Sequence, residues 1–127
     1  MLHGITRATS IGGVAAALIG FSSVGTLAAE FVARHDLPSS AYQQEFDRLL
    51  GQGFRLMHVS GYNTANGERF AAIFEKRGGP EFVARHGLTS SAYQAEFDRL
   101  VGQGFRLVLV NGCGVGDSHH FAAIWEK

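Results

Sequence analysis

The spacing of apolar side chains predicts a helix in each half of the chain. Four apolar residues in each half recur at the intervals that align side chains along one helical face. They are Tyr42, Phe46, Leu49 and Leu50 in the first half, and Tyr93, Phe97, Leu100 and Val101 in the second. Ser40 with Gln43, and Ser91 with Gln94, can form capping boxes at the starts of these helices. Gly51 and Gly102 suit the left-handed position that ends each helix.

Two strand-like segments follow each predicted helix. "FRLMHV" and "FRLVLV" are rich in branched and aromatic residues, and after a polar loop come "FAAIFE" and "FAAIWE". Apolar side chains lie on both sides of these strands, which favours a sheet covered by its own helix on one face and by another unit on the other. The predicted fold class is α+β: two tandem helix-plus-β-hairpin repeats that form antiparallel sheet packed against helices.

The two halves are copies of one unit. "EFVARHDLPSSAYQQEFDRLLGQGFRL" begins at Glu30 and recurs from Glu81 as "EFVARHGLTSSAYQAEFDRLVGQGFRL", and "FAAIFEK" recurs as "FAAIWEK". We therefore assign residues 30–76 to the first repeat, residues 77–80 to a linker and residues 81–127 to the second repeat. We expect both units to be complete.

Residues 1–29 have the character of an export signal. One basic residue, Arg7, precedes the apolar run "IGGVAAALIGF", and small residues then suit cleavage near Ala28 or Ala29. The alternative is a buried N-terminal strand or helix. A permanent span is disfavoured because the apolar run is shorter than about 18 residues. We predict secretion to an extracellular or periplasmic location, with membrane contact only through the signal during export.

Charge and cysteine content narrow the range of partners. Lys and Arg number 11 and Asp and Glu number 11, with no basic run, which argues against nucleic acid as a partner. The chain has one cysteine, so no internal disulfide framework is available.

The repeat resembles a known family. The combination of "ARHGL", "YQAEFDRLVGQGFRL" and "FAAIWEK" is similar to the bacterial tandem repeat domain family, whose arrays also form the N-terminal region of secreted polyglycine hydrolases. In those hydrolases the catalytic serine lies in a separate β-lactamase-like domain, so the resemblance implies an accessory region. We expect this chain to lack that domain: neither Lys76 nor Lys127 has a serine three residues earlier, as the β-lactamase-like nucleophile requires.

The segment "NGCGVGDSHH", Asn111 to His120, raises the question of a metal or phosphate site. Cys113, Asp117 and either His119 or His120 offer ligand types that zinc or copper accepts, but adjacent strand residues point to opposite faces, so the two histidines should not converge on one ion. The glycines lack the following helix that holds a phosphate. We interpret the segment as a hairpin turn and predict no metal and no cofactor.

The two copies differ mainly in this loop. Almost every position from Ser60 to Arg69 differs from its counterpart in the second copy. Repeat proteins often place recognition in such loops, although drift of a surface turn explains the difference equally well. The candidate ligand-binding residues are Tyr62, Asn63, Asn66, Arg69, Asp117, His119 and His120.

The "FVARH" segments carry a second set of candidates. The Arg34, His35 pair and its copy, Arg85 and His86, could bind an anion or supply a base. The structural alternative, which we favour, pairs the arginines with Asp47 or Asp98 and hydrogen-bonds the histidines to backbone.

Together these observations predict a secreted, non-enzymatic tandem repeat binding module for an extracellular or cell-surface glycan or protein. The alternative is an accessory or remnant region of a β-lactamase-like serine hydrolase system, and hydrolase activity of the chain itself is a third possibility. We also expect a homodimer with closed two-fold symmetry, because Phe54, Phe105 and Trp125 can all be buried only if the two units pack face to face or a second chain completes the array. The alternative is a compact pseudo-two-fold monomer.

Overall fold

Seven strands and two helices make up residues 6–8 and 30–127, the part of the chain that the computed structural model describes. In chain order they are β1 (Thr6–Ala8), β2 (Phe31–Leu37), α1 (Ser39–Gly51), β3 (Phe54–Thr64), β4 (Gly67–Lys76), β5 (Phe82–Leu88), α2 (Ser90–Gly102), β6 (Arg106–Val115) and β7 (Ser118–Glu126). The strands form two antiparallel sheets, in the orders β1-β2-β4-β3 and β5-β7-β6. The predicted α+β class and tandem organisation are therefore confirmed.

The export signal predicted for residues 1–29 lies outside the described residues except for β1. This short strand pairs with the edge of β2. The signal remains a prediction. Within the described residues, no helix combines the length and apolarity that a bilayer crossing requires.

Each repeat contains one strand more than the sequence predicts. The "FVARH" segments are strands β2 and β5, which pair with β4 and β7. Both strands carry a bulge near the end, where Asp36 has φ of 59° and the corresponding Gly87 has φ of 65°. The bulge and the charged Arg–His pair interrupt the apolar alternation, which explains why the strand was missed.

The helix ends also differ from the prediction. The hydroxyl of Thr89 accepts a hydrogen bond from the Ala92 N–H at 3.2 Å, whereas Pro38 precedes α1 without a side-chain cap. The glutamines of the predicted capping boxes instead donate to Asp47 and Asp98 on their own helices. Gly51 and Gly102 are still helical, and the left-handed positions are Gly53 and Gly104.

Each sheet has a helix face, on which its own helix packs, and an opposite bare face. In the first repeat, Phe70, Ala72 and Phe74 lie on the helix face and are buried. In the second repeat, Ala122 and Ile124 lie on the bare face and belong to the core of the first repeat. The repeats therefore stack in one direction, with the bare face of the second sheet on the helix side of the first repeat.

Equivalent residues show this stacking through their exposure. Ile124 is 2% exposed, but its counterpart Ile73 on the bare face of the first repeat is 42% exposed. Val59 is 0% exposed, but its counterpart Val110 on the helix face of the second repeat is 48% exposed. Each repeat therefore presents to solvent the face that the other repeat buries.

The aromatic side chains that motivate the dimer prediction are buried within one chain, and the dimer itself stays a prediction. Phe54, Phe105 and Trp125 are 4%, 6% and 0% exposed within one chain. A separate small core of Leu100, Phe105, Ala123 and Trp125 forms between α2 and its own sheet. Burial of these aromatic side chains therefore requires no second chain, because the stacked arrangement encloses both cores.

Candidate functional site

The two hairpin tips, residues 62–69 and 113–120, lie side by side at one end of the molecule. The backbone N–H of Gly61 in β3 donates to the side-chain oxygen of Asn111 in β6 at 2.8 Å. Farther along, Nδ1 of His120 lies 2.7 Å from a carboxylate oxygen of Glu68. We call this line of contact between the hairpins the seam. It brings together the two loops in which the repeats differ most.

Cys113 lies on the seam beside Gly61. A Cβ atom on Gly61 would lie only 3.6 Å from Cys113 Sγ and 3.3 Å from the Phe70 ring, so glycine permits the close approach of the hairpins. Burial, and then the negative charge of Glu68, raise the pKa of the Cys113 thiol. The thiol is consequently protonated at neutral pH, which does not suit a cysteine nucleophile.

Cys113 and His120 are directly opposite partners on β6 and β7, and Glu68 adds a carboxylate across the seam. These groups have the chemistry of a metal site or of a cysteine–histidine–carboxylate triad. However, within residues 6–8 and 30–127 no three histidine, cysteine or acidic side chains converge as metal ligands. The contact that the structure shows is the Glu68–His120 pair, which joins the two repeats.

Two of the predicted ligand-binding residues brace the first tip. The hydroxyl of Tyr62 accepts a hydrogen bond from the Asp36 N–H at 3.0 Å, so the tip is tied to the bulge in β2. Arg69 donates to the Asn66 carbonyl at 3.2 Å and lies 3.6 Å from the Asp36 carboxylate. Tyr62 and Arg69 are therefore committed to shaping the tip.

The other predicted residues divide between the seam and the solvent. His120 is half-buried and contacts Glu68, whereas its neighbour His119 is exposed, because alternation along β7 directs the two side chains to opposite faces. Asn63, Asn66 and Asp117 are also exposed. The tips thus present amide, carboxylate and imidazole groups to solvent.

Sequence comparison missed Glu68 as a partner of His120. The repeat alignment places Glu68 opposite His119, and Arg69 opposite His120, so the alignment treats them as substitutions. The Glu68–His120 contact joins positions that are offset by one residue between the copies. A carboxylate in one variable loop and histidines in the other were the available signal, but only the stacking reveals that Glu68 and His120 meet.

The "FVARH" arginines pair with different residues from those predicted. Glu45 on α1 binds both Arg34 and Arg48, and Glu96 on α2 lies 2.8 Å from Arg85. Burial favours a raised pKa for Glu45, but the hydrogen bonds from Arg48 and Arg34 outweigh it, so the pKa lies below its usual value. The predicted partners Asp47 and Asp98 lie on the exposed side of each helix, which explains the error.

The histidine of the second "FVARH" segment contributes to the contact between repeats. Nε2 of His86 lies 2.9 Å from the Ser39 hydroxyl, and its ring packs against Tyr42 and Phe70 with centroids 4.8 and 5.0 Å away. Its partner is therefore a side chain of the other repeat, not the predicted backbone. Burial lowers the pKa of His86, although Glu68 opposes the shift. The counterpart His35 is exposed.

A small cavity remains beside His86, between α1 and β5. Its volume is about 10 Å³, enough for one water molecule but far below that of a small-molecule site. The lining includes Tyr42, Phe46 and Ala84. The cavity is therefore a packing gap between the repeats, and the exposed tips are the stronger candidate for recognition.

Comparison with known proteins agrees with the two-repeat architecture. The family model described as "Polyglycine hydrolase-like, structural repeat" matches twice, at residues 28–77 and 79–127. No curated protein matches the chain. The two matches leave residues 1–27 uncovered and coincide with the two structural units. The chain therefore belongs to the family of polyglycine hydrolase-like structural repeats.

Proposed function

We propose that this protein is a secreted, non-enzymatic binding module that recognises an extracellular or cell-surface glycan or protein through its paired hairpin tips. One observation carries the proposal. The repeats keep nearly the same scaffold but differ at almost every tip position, and the stacking gathers both tips at one end. Variable loops on a fixed scaffold are a common arrangement for recognition.

The exposed tip groups suit a polar ligand. Asn63, Asn66, Asp117 and His119 are exposed and supply both hydrogen-bond donors and acceptors. The first tip is braced from within by Tyr62 and Arg69, which reduces the ordering cost when a ligand binds there. Glycan hydroxyls and peptide groups both match this set of side chains.

The test is an array of glycans and peptides probed with the full chain. The double variant Asn63→Ala/Asp117→Ala removes one amide and one carboxylate from the tips and should weaken binding of any ligand by tenfold or more. The matched control, Gln44→Ala/Asp98→Ala, removes the same two groups from exposed helix positions. Equal binding by both variants, or no ligand on the arrays, would contradict the proposal.

The family match favours a second candidate function. The chain would act as an accessory region of a β-lactamase-like serine hydrolase, since its repeats are of the polyglycine hydrolase-like type. This function requires an effect on a separate hydrolase domain. Polyglycine cleavage by such a domain, measured with and without this protein, distinguishes the two functions. Stimulation that persists in the tip variant would support the accessory role.

Secretion is tested separately from binding. We predict that export removes the N-terminal segment near Ala28 or Ala29, because small residues follow the apolar run there. Mass spectrometry of protein recovered outside the cytoplasm should give a mass that lacks this segment. Recovery of folded protein with Met1 intact would instead assign the segment to the fold.

A further inference from the structure

We propose that separate copies of this chain stack end to end. The bare face of the first repeat of one copy would pack on the helix face of the second repeat of the next. The contact would reproduce, between molecules, the interface that joins the two repeats within each molecule. This proposal is independent of ligand binding at the tips.

The internal interface supplies the template. Ile124 and Ala122 on the bare face of the second sheet are buried in the core of the first repeat. His86 packs against Tyr42 and Phe70. These apolar and aromatic contacts define the two complementary surfaces.

The same surfaces recur, uncovered, at the two ends of the molecule. On the bare face of the first repeat, Ile73 is 42% exposed and His35 is exposed. On the helix face of the second repeat, Val110 is 48% exposed, and Tyr93 and Phe121 are half-buried although their counterparts are buried. Each end therefore retains the residue types that make the internal contact.

Polar contacts are mostly retained as well. Within the chain, the Arg55 guanidinium lies 3.1 Å from Glu126 and 4.8 Å from the centre of the Phe82 ring. The corresponding set at the outer ends is Arg106 on one copy with Glu75 and Phe31 on the next. In the proposed contact this set would repeat both the ion pair and the cation–π contact, with Arg106 replacing Arg77, which now lies 3.4 Å from Glu75.

Other differences make the contact between copies weaker than the internal one. The Glu68–His120 pair would be replaced by His119 and Arg69, which do not attract each other. The linker, residues 77–80, is absent between copies, so the high effective concentration that it gives the second repeat is lost. Stacking should consequently be reversible and dependent on concentration.

The geometry favours an open assembly over the closed pair that the sequence analysis predicts. The two surfaces differ, so one copy that uses its bare face still presents its helix face to another copy. β1 pairs with the edge of β2 and extends the sheet sideways, so the backbone of β1 lies beside the bare face and does not cover it. A heterologous contact of this kind adds copies without a fixed end point.

Sedimentation of the full chain tests the proposal. Between about 1 µM and about 500 µM the mean mass should rise through and beyond that of a dimer. Ile73→Lys disables the bare face, and Val110→Lys disables the helix face. Each variant alone should be monomeric, because each has only one working end. An equimolar mixture should form a one-to-one dimer, since each variant supplies the surface that the other lacks.

Ala95→Lys is the matched control. It adds the same charge at an exposed helix position. The counterpart of this position in the first repeat, Gln44, is exposed although the second repeat packs on that face, so the position lies outside the contact. This variant should associate as the original chain does. Circular dichroism checks folding, and Ile73→Thr with Val110→Thr replaces the lysine pair if either lysine variant is unfolded.

Three outcomes would overturn the proposal. The first is a monomer at every concentration, which would also be the result if residues 1–29 of the same chain occupied the bare face. The second is a mass that stops at the dimer, as a closed two-fold pair would give. The third is a mixture of the two folded variants that stays monomeric.

Discussion

Replacement of Ile124 and of Ile73 by alanine should have unequal effects on stability. The change removes about three carbon groups, worth roughly 2.4 kcal/mol when fully buried. At Ile124, which is 2% exposed, a cavity left between the repeats raises the expected loss to about 3–4 kcal/mol. At Ile73, which is 42% exposed, the loss should be about 1.4 kcal/mol, because only part of the side chain leaves water and solvent fills the gap.

Urea denaturation of both variants at low micromolar protein concentration measures the difference. The free energies of unfolding should differ by about 2 kcal/mol, with similar slopes against urea concentration. The comparison is controlled internally, because the residues occupy the same position of the repeat. Losses that agree within about 0.5 kcal/mol would refute the stacking of the second bare face on the first repeat.

Three further predictions concern polar residues and the backbone. Burial lowers the pKa of His86 from its ordinary value of 6.5, so the unfolded chain binds the proton more readily and stability should fall as pH drops below about 6.5. Between neutral and mildly acidic pH, the melting temperature should fall less for His86→Gln than for the control His35→Gln. Equal falls of the melting temperature would contradict this role for burial of His86. Gly87→Ala should destabilise by about 1 kcal/mol in chemical denaturation, because φ is 65° although no atom obstructs a Cβ; an unchanged midpoint would contradict this. Glu45→Gln should cost about 3 kcal/mol of unfolding free energy, because it leaves the buried Arg34 without its charged partner, whereas Glu96→Gln should cost about 1 kcal/mol or less; similar costs would show that burial of the pair is unimportant.

The helices and hairpins could be predicted from the sequence because their signals are local. The apolar stripe of α1 and the apolar segments of β3 and β4 follow the periods of a helix and of strands. Strand β2 was missed because its identity depends on distant partners. Arg34 is buried on the helix face, where it pairs with Glu45 of α1. Asp36 adopts a positive φ within a bulge that interrupts the strand pattern.

The candidate site could be predicted only in part. Comparison of the repeats identified the variable loops, and alternation along a strand separates His119 from His120. The relative position of the hairpins was not encoded in either loop alone. It depends on packing of Ile124 into the first repeat, which brings Glu68 to His120 and Gly61 to Asn111.

The placement of the chain's one thiol would make any separation of the repeats measurable by a chemical reaction. Cys113 is half-buried on the seam, and its raised pKa keeps the reactive thiolate scarce at neutral pH. Separation of the hairpins would expose the sulphur to solvent and remove it from Glu68, so both causes of the raised pKa would disappear together. The rate at which Cys113 reacts with a disulfide reagent would then report local opening of the seam, on a timescale distinct from global unfolding.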